Sequence, residues 1–197
     1  YNGHIPISAI FACTSVIVTI LTDRRDVVMS NERSADEPTL TYQNTDINHQ
    51  YSKSSEFEKD FQAQLRQNFG EQIRYYSLLR PLAEIQIAKL FSSGIFDKYK
   101  DVFSSCNRAF VHDSNELFWD GECPKCAFVY LMLSEYVPHE ELNKLTNGNM
   151  LLKPHLTGTY KELLGITRNK PLECVGEIKE SCWAMDRRKQ DYPELEQ

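Results

Sequence analysis

Apolar residues run almost without a break from Ile5 to Leu21, relieved only by Ser8, Thr14, Ser15 and Thr19, and stop at the polar string Thr22-Asp23-Arg24-Arg25. A run of that length suits a helix buried on most faces. It is also long enough for a membrane span or a signal-peptide core. However, Asn2-Gly3-His4 supplies no basic leader and no small-residue cleavage site follows, so a packed helix and no membrane partner are expected. Asp26 to Ser30 reads Asp-Val-Val-Met-Ser, a short β-branched strand. The dense polar string Asn31-Glu32-Arg33-Ser34-Ala35-Asp36-Glu37 follows directly. It stands at the carboxyl end of a strand, where open α/β sheets bind their ligands; a solvated turn is the alternative. Pro38 to Asn48 are weakly patterned and expected as a mobile loop or lid.

Phe57, Phe61 and Leu65 recur every four residues, so a helix beginning near Ser55 or Glu56 should bury that stripe and turn Glu58, Lys59 and Asp60 to water. Just before it, His49-Gln50-Tyr51-Ser52-Lys53-Ser54 sets hydroxyls and an ammonium beside a helix N-terminus, a place for a phosphate or carboxylate. Read plainly, Ser54 is only an N-cap. Ile73 to Leu79 is a second strand, and Arg80-Pro81 starts the next helix, whose buried stripe is Leu82, Ile85, Ala88 and the Leu90/Phe91 pair. Arg80, at a strand end, is either an anion contact or one half of a surface salt bridge. A short helix over Gly94 to Tyr99 precedes a third strand, Asp101 to Ser105. Ala127 to Tyr136 is apolar enough to be a packed helix, and the remainder reads as short helices punctuated by Pro154, Gly165 and Pro171, with a charged tail from Asp186. Strands alternating with helices argue for a parallel α/β sheet.

The cysteines change this picture. Cys123-Pro-Lys-Cys126 is a tight knuckle in which a turn and a helix start bring two thiolates onto one metal, and Cys106 adds a third. Cys174 is the candidate for the fourth ligand, because Cys13 lies in an apolar run and Cys182 near a charged tail. The expected result is a structural Zn2+ site tying the middle of the chain to its C-terminal part. Ordinary buried thiols or a disulfide are the alternatives, and the absence of an export signal points to a reducing, cytoplasmic compartment that favours metal.

With 197 residues, 41% hydrophobic and 25% charged, the chain has material for one sizeable core and a small appended part. A formal charge of -6 gives no footprint for nucleic acid, which is excluded as a partner. The chain opens on Tyr1 rather than methionine and enters a core-like helix at once, as a fragment would. Nothing in the pattern speaks to oligomeric state.

Three segments together resemble the PP-loop (N-type) ATP pyrophosphatases, which include the 7-cyano-7-deazaguanine synthases. They are Tyr51-Ser-Lys-Ser-Ser-Glu-Phe57 before a helix, Arg80-Pro-Leu-Ala-Glu-Ile-Gln-Ile-Ala-Lys89, and Ser105-Cys106 with Cys123-Pro-Lys-Cys126. Those synthases carry one more Cys-x2-Cys step where Ala127-Phe128-Val129 stands here. A wider set is similar to the UDP-N-acetylmuramoyl-L-alanyl-L-glutamate epimerases of peptidoglycan synthesis. It comprises Asn2-Gly-His-Ile-Pro6, Val28-Met-Ser-Asn-Glu-Arg-Ser-Ala35, Asn48-His-Gln-Tyr-Ser-Lys-Ser54, Leu78-Leu-Arg-Pro-Leu82, Ser105-Cys-Asn-Arg108, Gly121-Glu-Cys-Pro-Lys-Cys-Ala-Phe128 and Lys170-Pro-Leu-Glu-Cys-Val-Gly176.

The resemblance implies a Rossmann-like α/β fold of the PP-loop (HUP) type, a parallel sheet with flanking helices, followed by a helical, zinc-stapled C-terminal part. It implies that ATP and Mg2+ activate the terminal L-glutamate of a nucleotide-linked peptide as an acyl-adenylate, whose α-carbon is then inverted. Adenylation removes the carboxylate charge that would oppose α-proton removal, and inversion needs a base on one face and a proton donor on the other. Glu32, His49, Tyr51 and Lys53 are the candidates for those roles; Asn31, Arg33, Ser34, Ser52, Arg80 and Arg108 are candidates to hold substrate and ATP. The Ser-Gly-Gly-x-Asp-Ser pyrophosphate loop of the PP-loop enzymes is missing, since none of the eight glycines is adjacent to another, so this chain by itself is expected to bind ATP poorly, its loop lying upstream of Tyr1. The expected organisation is a partial α/β domain over 1–105, a cysteine-containing helical part over 106–185 and a charged tail over 186–197. Two other functions fit the residues: another adenylating enzyme of the deazaguanine synthase kind, and a non-catalytic, zinc-stapled binding module.

Overall fold

The computed structural model describes residues 5–109, 116–167 and 169–196. It is a mixed α/β structure that divides into two compact units, Tyr1–Leu82 and Ala83–Gln197.

The first unit runs α1 (Ile7–Leu21), β1 (Asp26–Met29), β2 (Leu40–Tyr42), β3 (Thr45–Ile47), α2 (Ser55–Phe69) and β4 (Arg74–Ser77). β1 and β4 pair in parallel, from Asp26 opposite Arg74 to Met29 opposite Ser77. Alternation then sets Val27 and Tyr75 on one face, where they join Ala12, Val16, Leu65 and Ile73 in a core flanked by Phe57 and Phe61. Gln62 of α2 reaches the strand as well, donating to the Ile73 carbonyl at 3.3 Å and accepting from the Tyr75 amide at 2.5 Å. The helix thus satisfies strand groups that a neighbouring strand would otherwise pair.

Two expectations change here. α1 is a helix, but it is not buried on most faces: the side chains it buries are Ser8, Ala12, Val16 and Thr19, while Ile17 is 57% and Leu21 79% exposed. The small residues fall on one stripe at helical spacing and allow close packing, which leaves the bulky ones on the opposite side. Pro38 to Asn48, expected as a lid, instead hold the antiparallel pair β2–β3, whose two-residue turn places Gln43 and Asn44 at φ 48° and 61°. Both are in the left-handed region, as a type I′ hairpin turn requires.

α2 begins where its pattern predicts. Ser54 Oγ accepts from the Phe57 amide at 3.1 Å, and Gly70 ends the helix at φ 63°. Ser54→Ala is expected to lower stability by about 1 kcal/mol, read as a shift in the urea midpoint; an unchanged midpoint would mean that water replaces the cap.

The second unit is helical: α3 (Glu84–Gly94), α4 (Phe96–Tyr99), α5 (Pro124–Leu133), α6 (His139–Thr146), α7 (Thr157–Leu163) and α8 (Ile178–Lys189). α5 lies at its centre and is buried on nearly every side, with Phe128, Tyr130, Leu131, Met132 and Leu133 all within the core. Tyr130 satisfies its hydroxyl without leaving that core, 2.7 Å from Asn143 Oδ1 and 3.1 Å from Asn149 Oδ1.

The third strand expected over Asp101 to Ser105 does not form, so the parallel sheet of the described residues has two strands. Phe103 packs into the helical core instead, and its carbonyl accepts from Trp119 Nε1 at 2.9 Å while Ser104 Oγ donates to the Phe118 carbonyl at 2.7 Å. Side chains rather than a ladder satisfy this backbone. Similarly, Arg80-Pro81 lie in a turn and α3 starts at Glu84, its Ala83 amide held by Gln86 Oε1 at 2.9 Å. Asp186 to Lys189 are the last turn of α8, where Arg187 and Arg188 grip Glu135 at 2.5 and 2.8 Å. No helix among the described residues is long and apolar enough to cross a membrane.

Candidate functional site

Because β1 and β4 are parallel, their carboxyl ends open on the same edge of the first unit. The residues that follow them meet there. Asn31, buried, donates to Ser77 Oγ at 3.1 Å, and the Arg33 amide donates to the Leu82 carbonyl at 3.1 Å. Arg80 is the hub. Its Nη1 donates to the Glu32 carbonyl at 2.9 Å; its Nη2 donates to the Lys53 carbonyl at 2.7 Å and to Glu58 Oε2 at 3.0 Å, with Asp36 Oδ1 4.0 Å from Nη1. One guanidinium thus joins the loop after β1, the turn before α2 and α2 itself. It is directed at the protein's own acceptors.

The remaining candidates of this unit lie on the segment leading into α2. Ser52 and Ser34 are buried, Lys53 Nζ donates to Gln50 Oε1 at 3.3 Å, and Tyr51, 45% exposed, donates to Asp60 Oδ2 at 3.4 Å. Partial burial and the nearby carboxylates of Glu56 and Asp60 push the Tyr51 phenol above its ordinary value, so it stays a proton donor over the neutral range. His49 Nδ1 meets Thr39 Oγ1 of the segment before β2. Asn48 Nδ2 donates to the Ala35 carbonyl at 2.7 Å and Asp36 Oδ1 accepts from the Ser55 amide at 2.6 Å, so the 31–37 loop and the 48–55 segment are bound to each other on both sides of the hub.

Asp36 and Asn48 stand in polar strings with no signal of their own, and Glu58, expected to face water with Lys59 and Asp60, instead turns inward to Arg80 at 3.0 Å. Glu58 has a readable signal: it follows Ser54 by four residues and precedes Phe61 by three, which puts it on the inner edge of the α2 stripe rather than among the water-facing residues. Its side chain is 19% exposed.

Arg108 lies in the second unit, beside the cysteines. There the Asp120-Gly-Glu-Cys turn leads into α5: Gly121 sits at φ +65°, Cys123 caps the helix and Pro124 occupies its first turn. Asp120 Oδ1 accepts from the amides of Glu122 and Cys123 at 2.9 and 3.2 Å and from the Cys126 thiol at 3.3 Å. The amides of Arg108 and Cys126 donate to the sulfurs of Cys106 and Cys123 at 3.4 and 3.3 Å. Cys106, Asp120, Cys123 and Cys126 bring their ligand atoms within 4.8 Å of one another. Cys174 is not in this group. Its carbonyl accepts from Lys125 Nζ, so its loop meets the knuckle through the main chain. Donation from the Cys126 thiol, aided by backbone amides, pulls the Cys123 thiol down to about 6 and raises that of Cys126; burial raises Cys106. At Asp120 burial works upward, but the amides of Glu122 and Cys123 and the Cys126 thiol outweigh it and hold the carboxyl below its ordinary value.

Compared with known proteins, residues 1–78 match the MurL N-terminal domain and residues 102–195 the MurL C-terminal domain, so one match falls in each unit. The chain is 43% identical over 185 residues to the UDP-N-acetyl-alpha-D-muramoyl-L-alanyl-L-glutamate epimerase of Micromonospora sp., a match that spans 93% of this chain and 41% of that protein. It is 42% identical over 184 residues to the protein of the same name from Salinispora tropica, with 93% of this chain and 40% of the relative covered. For the one from Xanthomonas oryzae pv. oryzae the identity is 40% over 188 residues, covering 94% and 41%. No solved structure matches the chain. The chain therefore spans about two-fifths of the length of the curated relatives it matches. With both MurL domains matched and three such relatives at 40–43% identity, it belongs to the UDP-N-acetyl-alpha-D-muramoyl-L-alanyl-L-glutamate epimerase family, MurL.

Proposed function

We propose that this chain is part of a cytoplasmic epimerase that converts the terminal L-glutamate of UDP-MurNAc-L-Ala-L-Glu to D-glutamate in peptidoglycan synthesis, using ATP and Mg2+. The observation that carries the reading is identity of 43% extending over 93% of the chain to a relative whose name states that epimerisation. The two-stranded parallel sheet with its polar carboxyl edge supports assigning it to a Rossmann-like, PP-loop type domain.

In this reading the glutamate carboxylate attacks the α-phosphorus of ATP, pyrophosphate leaves, and an acyl-adenylate forms. A base takes the α-proton into a carbanion delocalised on the adenylated carbonyl, a donor returns a proton to the opposite face, and water releases AMP. Glu32, His49, Tyr51 and Lys53 are assigned to base and donor. Asn31, Arg33, Ser34 and Ser52 are assigned to substrate and nucleotide, whereas Arg108 of the second unit is paired with Asp120. Arg80, tied to three internal acceptors, is assigned to fixing the loop that carries Glu32.

The test is product analysis with ATP, Mg2+ and UDP-MurNAc-L-Ala-L-Glu, using this chain and, in parallel, a chain extended to the length of its relatives. D-glutamate appearing with AMP and pyrophosphate is the expected result. AMP without inversion would overturn the substrate and favour an adenylating enzyme acting on another carboxylate, and no AMP from either chain would overturn the catalytic reading altogether.

A further inference from the structure

We propose that Cys106, Asp120, Cys123 and Cys126 hold one Zn2+ ion in a four-coordinate site of three thiolates and one carboxylate, with Asp120 rather than Cys174 as the fourth ligand. The proposal concerns a metal staple inside the second unit and is independent of the epimerase reading.

Geometry comes first. A tetrahedral zinc with Zn–S near 2.3 Å and Zn–O near 2.0–2.2 Å sets its ligand atoms roughly 3.5–3.8 Å apart. All four ligand atoms here lie within 4.8 Å of one another, and the three sulfurs belong to buried residues. The group is too tight to surround a multi-iron cluster and close to the right size for a single ion.

The donor set points the same way. Three sulfurs and a carboxylate oxygen gathered around one point are donors of the kind that a structural zinc takes. Three thiolates and a carboxylate around a divalent ion leave a net charge of about -2, and Arg108 Nη1, 3.3 Å from Asp120 Oδ2, stands where it offsets part of that charge. The surroundings are already arranged around the sulfurs, with backbone amides aimed at Cys106 and Cys123. Such outer contacts orient and stabilise metal-bound thiolates. The two carboxylate oxygens of Asp120 divide these tasks, Oδ1 standing 3.3 Å from the Cys126 sulfur on the cluster side while Oδ2 faces Arg108. Cys174, by contrast, is linked to the knuckle by its carbonyl, an attachment that needs no sulfur.

What the ion would supply is a staple between the turn at Cys106 and the N-terminus of α5, the central helix of the unit. The chain's own residues supply the rest. Gly121 makes the turn possible: a Cβ there would lie 2.7 Å from the Thr146 carbonyl oxygen. Cys123 is at once a helix cap and a ligand, which couples the start of α5 to the metal.

The test is metal analysis and Co2+ spectroscopy on the purified full chain and four variants. Expected are one zinc per chain, a thiolate-to-cobalt charge-transfer band on Co2+ substitution, and loss of stoichiometric zinc in Cys123→Ser. Asp120→Ala should weaken zinc, measured by chelator competition, by more than the roughly 10–100-fold that loss of an outer-shell contact costs, whereas Cys174→Ser should leave the affinity unchanged. Asp120→Cys keeps four ligands and should strengthen the charge-transfer band as a fourth thiolate joins three, a gain of signal that a misfolded variant would not give. A chain that takes up no zinc when Zn2+ is offered at stoichiometry would overturn the proposal. So would a Cys174→Ser variant that loses zinc while Asp120→Ala retains it, or an Asp120→Cys variant whose cobalt spectrum equals that of the parent.

Discussion

Replacing Arg80 with alanine is expected to destabilise the first unit by about 3 kcal/mol, the low end of the cost of removing one partner from a buried ion pair, because this hydrogen-bonded pair is only partly buried. Arg80 and Glu58 have side chains only 16% and 19% exposed and lie 3.0 Å apart. Alanine would strand the Glu58 carboxylate and leave the Glu32 and Lys53 carbonyls, now at 2.9 and 2.7 Å from the guanidinium, without their donor. Lysine should recover only part of the loss, because one ammonium cannot span acceptors that the planar fork reaches on two sides. The paired replacement Arg80→Met with Glu58→Met should cost far less than Arg80→Ala, since it removes both partly buried charges together. Urea unfolding measures the size of the effect, and hydrogen exchange at the Glu32–Asp36 and Tyr51–Phe57 amides tests its place. A loss below about 1 kcal/mol would mean that the pair behaves as a solvated surface salt bridge. That would remove the basis for treating Arg80 as the organiser of the polar edge.

The same residue shows how far the sequence could be read. Arg80 after a strand was legible as a candidate, because an arginine at the carboxyl end of a β-strand is well placed for a ligand. Its actual partners are backbone carbonyls from segments 27 and 48 residues away and a carboxylate of α2. Long-range pairing of this kind leaves no local pattern. The strands β1 and β4, the Ser54 cap and the Phe57/Phe61/Leu65 stripe were legible, since each follows from local periodicity and capping chemistry. The outward face of α1 was not: length and hydrophobicity mark a helix, but the packing surface turned out to be the stripe of small residues. The strand expected at Asp101–Ser105 failed for a related reason. Val102 and Phe103 favour a strand by residue type, but the partners that hold this backbone, the Trp119 indole and the Phe118 carbonyl, come from outside the window. At the knuckle, the structure brings Cys106 to the Cys-x2-Cys pair that the spacing marks, and adds Asp120, which the spacing does not mark. A carboxylate three residues before Cys123 looks like an ordinary turn residue until the fold closes Cys106 onto it.

The largest effects in the second unit are expected at Phe128 and at the glycine that faces it. Phe128→Ala should cost about 3–5 kcal/mol, the transfer term plus the cavity left by a ring that is 1% exposed at the centre of α5. Gly176→Ala acts on the same spot from the other side. An added methyl would run into the Phe128 ring, with Cε2 at 3.0 Å, and would lie 2.8 Å from Glu180 Oε2. Neither neighbour yields easily: the ring is locked in the core, and Glu180 is a buried carboxylate in the first turn of α8 that accepts from the Glu177 amide. Overpacking of this kind costs about 1–3 kcal/mol. The two substitutions should not add. Shortening Phe128 to leucine frees space where the new methyl must go, so Gly176→Ala combined with Phe128→Leu should be more stable than the sum of the single losses by about 0.5–3 kcal/mol, the coupling expected of residues in contact. Urea denaturation of the four proteins in the cycle measures that coupling. Strict additivity would show that the chain around Gly176 moves away from the ring and that the close approach of this loop to α5 is adjustable. A positive coupling would show that Gly176 is required by the ring it touches, which makes the absence of a side chain at that position a packing requirement of the central helix.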